Sequence, residues 1–166
     1  MIRFEVKLKI AITYFDEIFG PQIVSIYPTS NLGVEKEVED ILRNLLDIVG
    51  VNPTKRKHFI FADESFVSQN VLISIYNSEA RGNVTDFLIS IIIQPSYSHI
   101  ISALAFDWNP FFSLEDNLIP DLEKFITDGN SGSIKPILKN LYNGTKSLLV
   151  DNVEILSPES YTFIDN

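Results

Sequence analysis

Histidine is the side chain best suited to exchange protons at neutral pH, and this 166-residue chain has two, His58 and His99. A hydrolytic site would have to pair one of them with a hydroxyl or a carboxylate, Asp63 or Asp107 being the acids available to His58. No G-x-S-x-G, G-x-x-x-x-G-K or G-x-G-x-x-G pattern supports a nucleophile elbow or a phosphate cradle. Cysteine is absent, which removes thiol nucleophiles, disulfides and cysteine zinc sites. No H-x-x-x-H or H-x-E pair has zinc spacing. Adjacent acids occur at Asp16-Glu17, Asp63-Glu64 and Glu115-Asp116, the type of pair used in acid–base work or calcium binding. The run Asp116, Asp121, Glu123 lacks EF-hand spacing and its glycine, so these acids read as solvated surface. The chain is therefore expected not to be an enzyme, and to have no metal and no cofactor.

Charge narrows the partners. Twenty-two acidic against 13 basic residues give a net charge of −9, which opposes nucleic-acid binding, where phosphates must meet clustered Lys and Arg. The one basic run, Lys55-Arg56-Lys57, has the chemistry to touch anionic lipid or phosphate but reads as a solvated loop. Between Asp107 and Asp128 six acids face a single base, Lys124, a bias toward a basic partner. Trp108 with Phe111 and Phe112 is an aromatic cluster suited either to a partner or to packing on its own sheet. The longest apolar stretch, Phe87 to Ile93, is far too short to span a bilayer, and the charged start of the chain lacks the apolar region of a signal peptide. The expectation is a cytoplasmic protein without stable membrane insertion, and Asn83 and Asn143 read as chance sequons.

The elements that must position these residues follow from periodicity. Ile2, Phe4, Val6, Leu8, Ile10 and Ile12 alternate with polar residues, the period of a strand. Gly20-Pro21 breaks the run, and Gln22 to Tyr27 forms a second strand ended by Pro28, so a hairpin is expected. Apolar residues at Val34, Val38, Ile41, Leu42, Leu45, Ile48 and Val49 then mark one stripe of a helix, with Gly50 as its stop. Strands are expected at His58 to Ala62, Asn70 to Tyr76 and Asp86 to Gln94; the apolar residues of the last two are nearly continuous, so both their faces need cover. Tyr97 to Phe106 fits helix or strand. Helices are expected from Ser113, or from Pro120, to about Thr127 and from Ser133 to about Leu149. The result is an α+β domain over residues 1–150 with a tail at 151–166: a five-stranded antiparallel sheet, one helix on one face and two or three C-terminal helices on the other.

The hairpin Phe15, Asp16, Gly20, Pro21, Val24, Tyr27, Pro28 resembles the opening of longin domains, a longin/roadblock-like family, and above all those that begin DENN-type and nitrogen-permease-regulator-like proteins. The order of elements is similar over nearly the whole chain. The resemblance implies a non-enzymatic platform that forms homo- or heterodimers, or binds small GTPases, in trafficking or signalling, and so lies peripheral to membranes through a partner. Family association through the first helix and third strand would fall here on Glu35, Glu39 and Arg43 and on His58, Phe59, Ile60 and Phe61. A short edge strand with open hydrogen-bond groups suits sheet extension, while Lys55-Arg56-Lys57 and Asp63-Glu64 beside it would serve equally to discourage pairing. The alternative is a small-molecule sensor of profilin/PAS-like architecture with its ligand between sheet and helices.

Overall fold

A computed structural model describes residues 4–29, 36, 39–40, 42–44, 57–62, 66–94, 109–156 and 161–164. The strands are β1 (Phe4–Asp16), β2 (Gly20–Tyr27), β3 (Lys57–Ala62), β4 (Val67–Tyr76), β5 (Val84–Gln94) and β6 (Tyr161–Ile164). The helices with described bounds are α1 (Asn109–Asp128) and α2 (Ile134–Leu156). A further helical segment is described at residues 36, 39, 40 and 42–44. The strand order is β2-β1-β5-β4-β3, antiparallel throughout, and β6 pairs parallel with the start of β1.

Pairing across the sheet explains the unbroken apolar runs. Ile10 lies opposite Ile91, Ile12 opposite Ile89 and Val71 opposite Ile89, so these side chains share one face. That face packs against Leu118 and Leu122 of α1 and Ile134, Leu138 and Leu149 of α2. The alternate residues Ala11, Leu72, Leu88 and Ile92 form a second core with Ile26 and with Leu42 of the first helical segment. One face is thus covered by two helices and the other by the segment carrying Leu42, the three-layer arrangement expected from the sequence.

The structure corrects several boundaries. β4 begins at Val67 rather than at Asn70, because Ser68 and Gln69, polar enough to read as loop, lie buried between β3 and β5. Asn70 Nδ2 donates to Ser68 Oγ at 2.9 Å, which satisfies part of this polar run locally. α1 opens at Asn109, with Pro110 in the first turn, where a missing N–H costs nothing. Pro120 lies within it on the exposed side, and the buried Leu118 and Leu122 on either side of it hold the helix to the sheet. α2 runs to Leu156 and Tyr161–Ile164 joins the sheet, so the expected 151–166 tail is largely structured; four residues are too few to display a strand period. Tyr97 to Phe106, His99, Trp108 and most of the expected 34–49 helix lie outside the described residues.

The sheet centre contains a polar irregularity. Thr13 Oγ1, Asn70 Oδ1 and Ser90 Oγ are buried without a hydrogen-bond partner among the described residues, as is Thr145 Oγ1 of α2. Ser90 lies directly opposite Ala11 on one side and Asn70 on the other. A buried hydroxyl that gives up water without a new partner is a net cost. Ser90→Ala is therefore expected to raise stability by about 1 kcal/mol in urea unfolding, whereas Ile91→Ala next to it should lower it by roughly 2–5 kcal/mol through the cavity it leaves.

Candidate functional site

Two regions collect the residues singled out above: the β1–β2 turn and the β3 edge. The turn is organised by one carboxylate. Asp16 Oδ1 accepts the backbone N–H of Ile18 at 2.8 Å and of Phe19 at 2.9 Å, closing the loop on itself. Those two N–H groups, with a smaller contribution from the Tyr14 hydroxyl, hold the Asp16 carboxyl below the usual carboxylate range. Partial burial, followed by the neighbouring Asp16 charge and the hydrogen bond to it, pushes the Tyr14 hydroxyl up. Gly20 has φ +73°, a conformation that side chains with a Cβ rarely adopt, which explains glycine there. Pro21 follows, opposite Phe15 in the ladder. Asp16 therefore works as a local clamp, and its partners are backbone amides.

The other end of the hairpin is tied down differently. Tyr27-Pro28 is a cis peptide, and the Pro28 carbonyl accepts a 2.7 Å hydrogen bond from Lys9 Nζ. Lys9 sits within β1 with only 7% of its surface exposed, so the ammonium has a fixed protein acceptor where water is scarce. Tyr27 packs edge-on against Tyr142 of α2 at 5.2 Å. The motif residues Phe15, Asp16, Gly20, Pro21, Tyr27 and Pro28 thus act as a hairpin frame: one end clamps the turn, the other docks the strand on α2.

The β3 edge carries the partner-binding candidates. Only β4 pairs with β3, so its outer backbone edge has no strand neighbour among the described residues. Phe59 and Phe61 are half-buried against the core that contains Leu42, and Phe61 stacks on Phe66 at 5.7 Å. Ile60, on the opposite face, is one of the few large apolar side chains left in water, at 36% exposure. His58 is half-buried opposite Val71. On the first helical segment Glu39 is half-exposed and Arg43 exposed, while Glu35 lies outside the described residues. No three His, Cys, Asp or Glu among the described residues group to hold a metal ion. The resemblance to longin domains implied this edge; the residue pattern could not show that Phe59 and Phe61 face inward while Ile60 faces out, since a short apolar run has no preferred side.

Known proteins can now be set beside this architecture. No family model and no curated protein matches the chain. Among solved structures it is similar to the longin domain of Lst4 from K. lactis, with a TM-score of 0.56 over 86% of this chain and 99% of that one. The chain has a longin fold. Sequence identity to that domain is 15%, so the likeness is one of fold. In this longin fold the β1–β2 frame and the β3 edge sit on opposite sides of the strand order, two distinct surfaces rather than one composite site. No helix among the described residues is long and apolar enough to cross a membrane.

Two outcomes follow for the turn. Gly20→Ala should destabilise the protein by about 1 kcal/mol in urea unfolding, since alanine must enter the left-handed region. Asp16 has a folded pKa lowered from 3.8, so its contribution is present above the unfolded value and is lost as pH falls through the folded one. Thermal unfolding of Asp16→Ala should therefore lie below that of the unaltered chain at neutral pH, and the gap should close in strong acid.

Proposed function

We propose that this chain is a non-enzymatic interaction module that docks a protein partner, either a small GTPase or another longin- or roadblock-type chain, along β3 and the outer side of the first helical segment. The observation that carries this is the end of the strand order at β3, with Ile60 exposed on it. An incoming strand would continue the sheet by backbone hydrogen bonds, and its side chains would cover Ile60 on one face. A helix-bearing partner would meet Glu39 and Arg43 on the other. The resemblance of the opening hairpin to longin domains that serve as platforms supports the same assignment, as does the similarity of fold to a solved longin domain.

A second copy of the chain fits the same edge, and light scattering distinguishes the two arrangements by mass. The test combines that measurement with retention of purified small GTPases, loaded with GDP or a GTP analogue, on the immobilised protein. A dimer or a retained GTPase is expected; a strict monomer that retains none overturns the assignment. Ile60→Asp should weaken whichever association is found by about tenfold, ~1.4 kcal/mol, with circular dichroism confirming that the variant remains folded, since part of the side chain is buried in the free chain.

A further inference from the structure

A second surface, at the end of the sheet where β1 and β5 meet the turns, has no part in the β3 assignment. There the β1–β2 turn, the Asn77–Asn83 connection between β4 and β5, and the C-terminal end of α1 surround one opening. The result is an open groove of about 860 Å³. Its apolar surface comes from Tyr14 and Phe15 of β1, Ile18 of the turn that follows, Val84 of β5, and Phe125 and Ile126 of α1. Tyr14, Phe87 and Phe125 pack together, with Phe125 edge-on to both rings at 5.3 and 6.1 Å, so this wall is held rigidly. Glu17 accepts a hydrogen bond from the backbone N–H of Arg81, which ties the two turns together across the groove.

Two properties of the groove are unusual for a surface that meets only water. The first is apolar exposure: in the lining Ile18 is 84% exposed and Phe15 39%, and just outside it Phe19, next to Ile18 in the chain, is 75% exposed. Ile18, Phe19 and Tyr76 are the three most exposed large apolar side chains among the described residues, and of these Ile18 lines the groove. The second is charge. Asp16, Glu17 and Glu79 bring carboxylates to the groove against one cation, Arg81, while Asp86, also in the lining, is buried and accepts a hydrogen bond from the Ser74 hydroxyl. An anionic membrane would be repelled by these carboxylates, and an apolar small molecule would leave them unanswered. A peptide with Lys or Arg beside aliphatic or aromatic side chains satisfies both properties at once.

We propose that this groove binds a basic, apolar-anchored peptide segment of a partner protein. The anchor side chain enters between Ile18 and Phe125, and the flanking ammonium or guanidinium groups face Glu17 and Glu79, both exposed. Glu79 is the natural site for a test, because its backbone N–H bonds to Asn77 Oδ1 and organises the turn, while its side chain is exposed. Recognition here is independent of β3, so the two surfaces can be separated by variants.

The experiment is a selection of phage-displayed random peptides on the full chain, followed by fluorescence-polarisation titration of the best synthetic peptide. Selected peptides should combine Lys or Arg with Leu, Ile or Phe. Glu79→Lys and Ile18→Asp should each weaken binding about tenfold, ~1.4 kcal/mol, higher salt should weaken it further, and Ile60→Asp should have no effect. Circular dichroism confirms that each variant remains folded. Failure to select any peptide, selection of peptides without basic residues, or binding unchanged in both groove variants overturns the proposal. So does binding of the chain to phosphatidylserine vesicles that is abolished by Ile18→Asp.

Discussion

A strand with neighbours on both sides and helical cover on both faces has no residue to spare for water, and β5 is in that position. Between Asp86 and Ile93 every residue is buried, and β1 and β4 occupy its two edges. Its odd-numbered residues Phe87, Ile89, Ile91 and Ile93 meet α1 and α2, and Leu88 and Ile92 meet the core that holds Leu42. Backbone groups buried this deeply must be paired, so β5 dictates the extended form and register of its neighbours. Each outlying feature is set by distance from this strand: the β3 edge lies two strands away on one side, the β1–β2 frame adjacent on the other.

That constraint also explains which parts of the fold were legible in the amino-acid order. A strand buried on both sides reads as a continuous apolar run, and Phe87 to Ile93 could not be mistaken for an exposed one. The alternation in β1 was visible because its polar positions begin charged; further along, Ala11 and Thr13 fill the second face with small side chains. The start of β4 was hidden for the opposite reason. Ser68 and Gln69, which precede the expected start at Asn70, are buried although polar, because pairing sets β3 on one side of them and β5 on the other. Hydropathy records transfer of single residues, and it has no means of registering an amide that finds its hydroxyl two residues away.

The candidate site was legible at the level of elements and less so at the level of side chains. The hairpin motif marked a turn, and the turn is there, but the role of Asp16 as acceptor of two backbone amides depends on a geometry that spacing alone does not contain. Lys9 is a plainer case. In a strand beginning with alternating charges it looks like one more solvated cation, yet it reaches the Pro28 carbonyl from a buried position. The groove at the sheet end is assembled from three segments far apart in the chain, and nothing local to any of them announces it.

The parallel pairing of β6 with the start of β1 bears on the order in which the molecule forms. Phe4 lies beside Tyr161 and Lys7 beside Ile164, so this ladder closes a loop of nearly the whole chain. The entropy of such a closure is met only after shorter-range contacts have drawn the two segments together. The β1–β2 and β4–β5 hairpins, by contrast, join neighbours in the chain. Folding should therefore proceed outward from the hairpins through the β1–β5 seam, with β6 arriving last. The same strand should be the first to exchange its amide protons as the native protein breathes, which makes the far end of β1 the loosest part of the strand that otherwise anchors the hairpin.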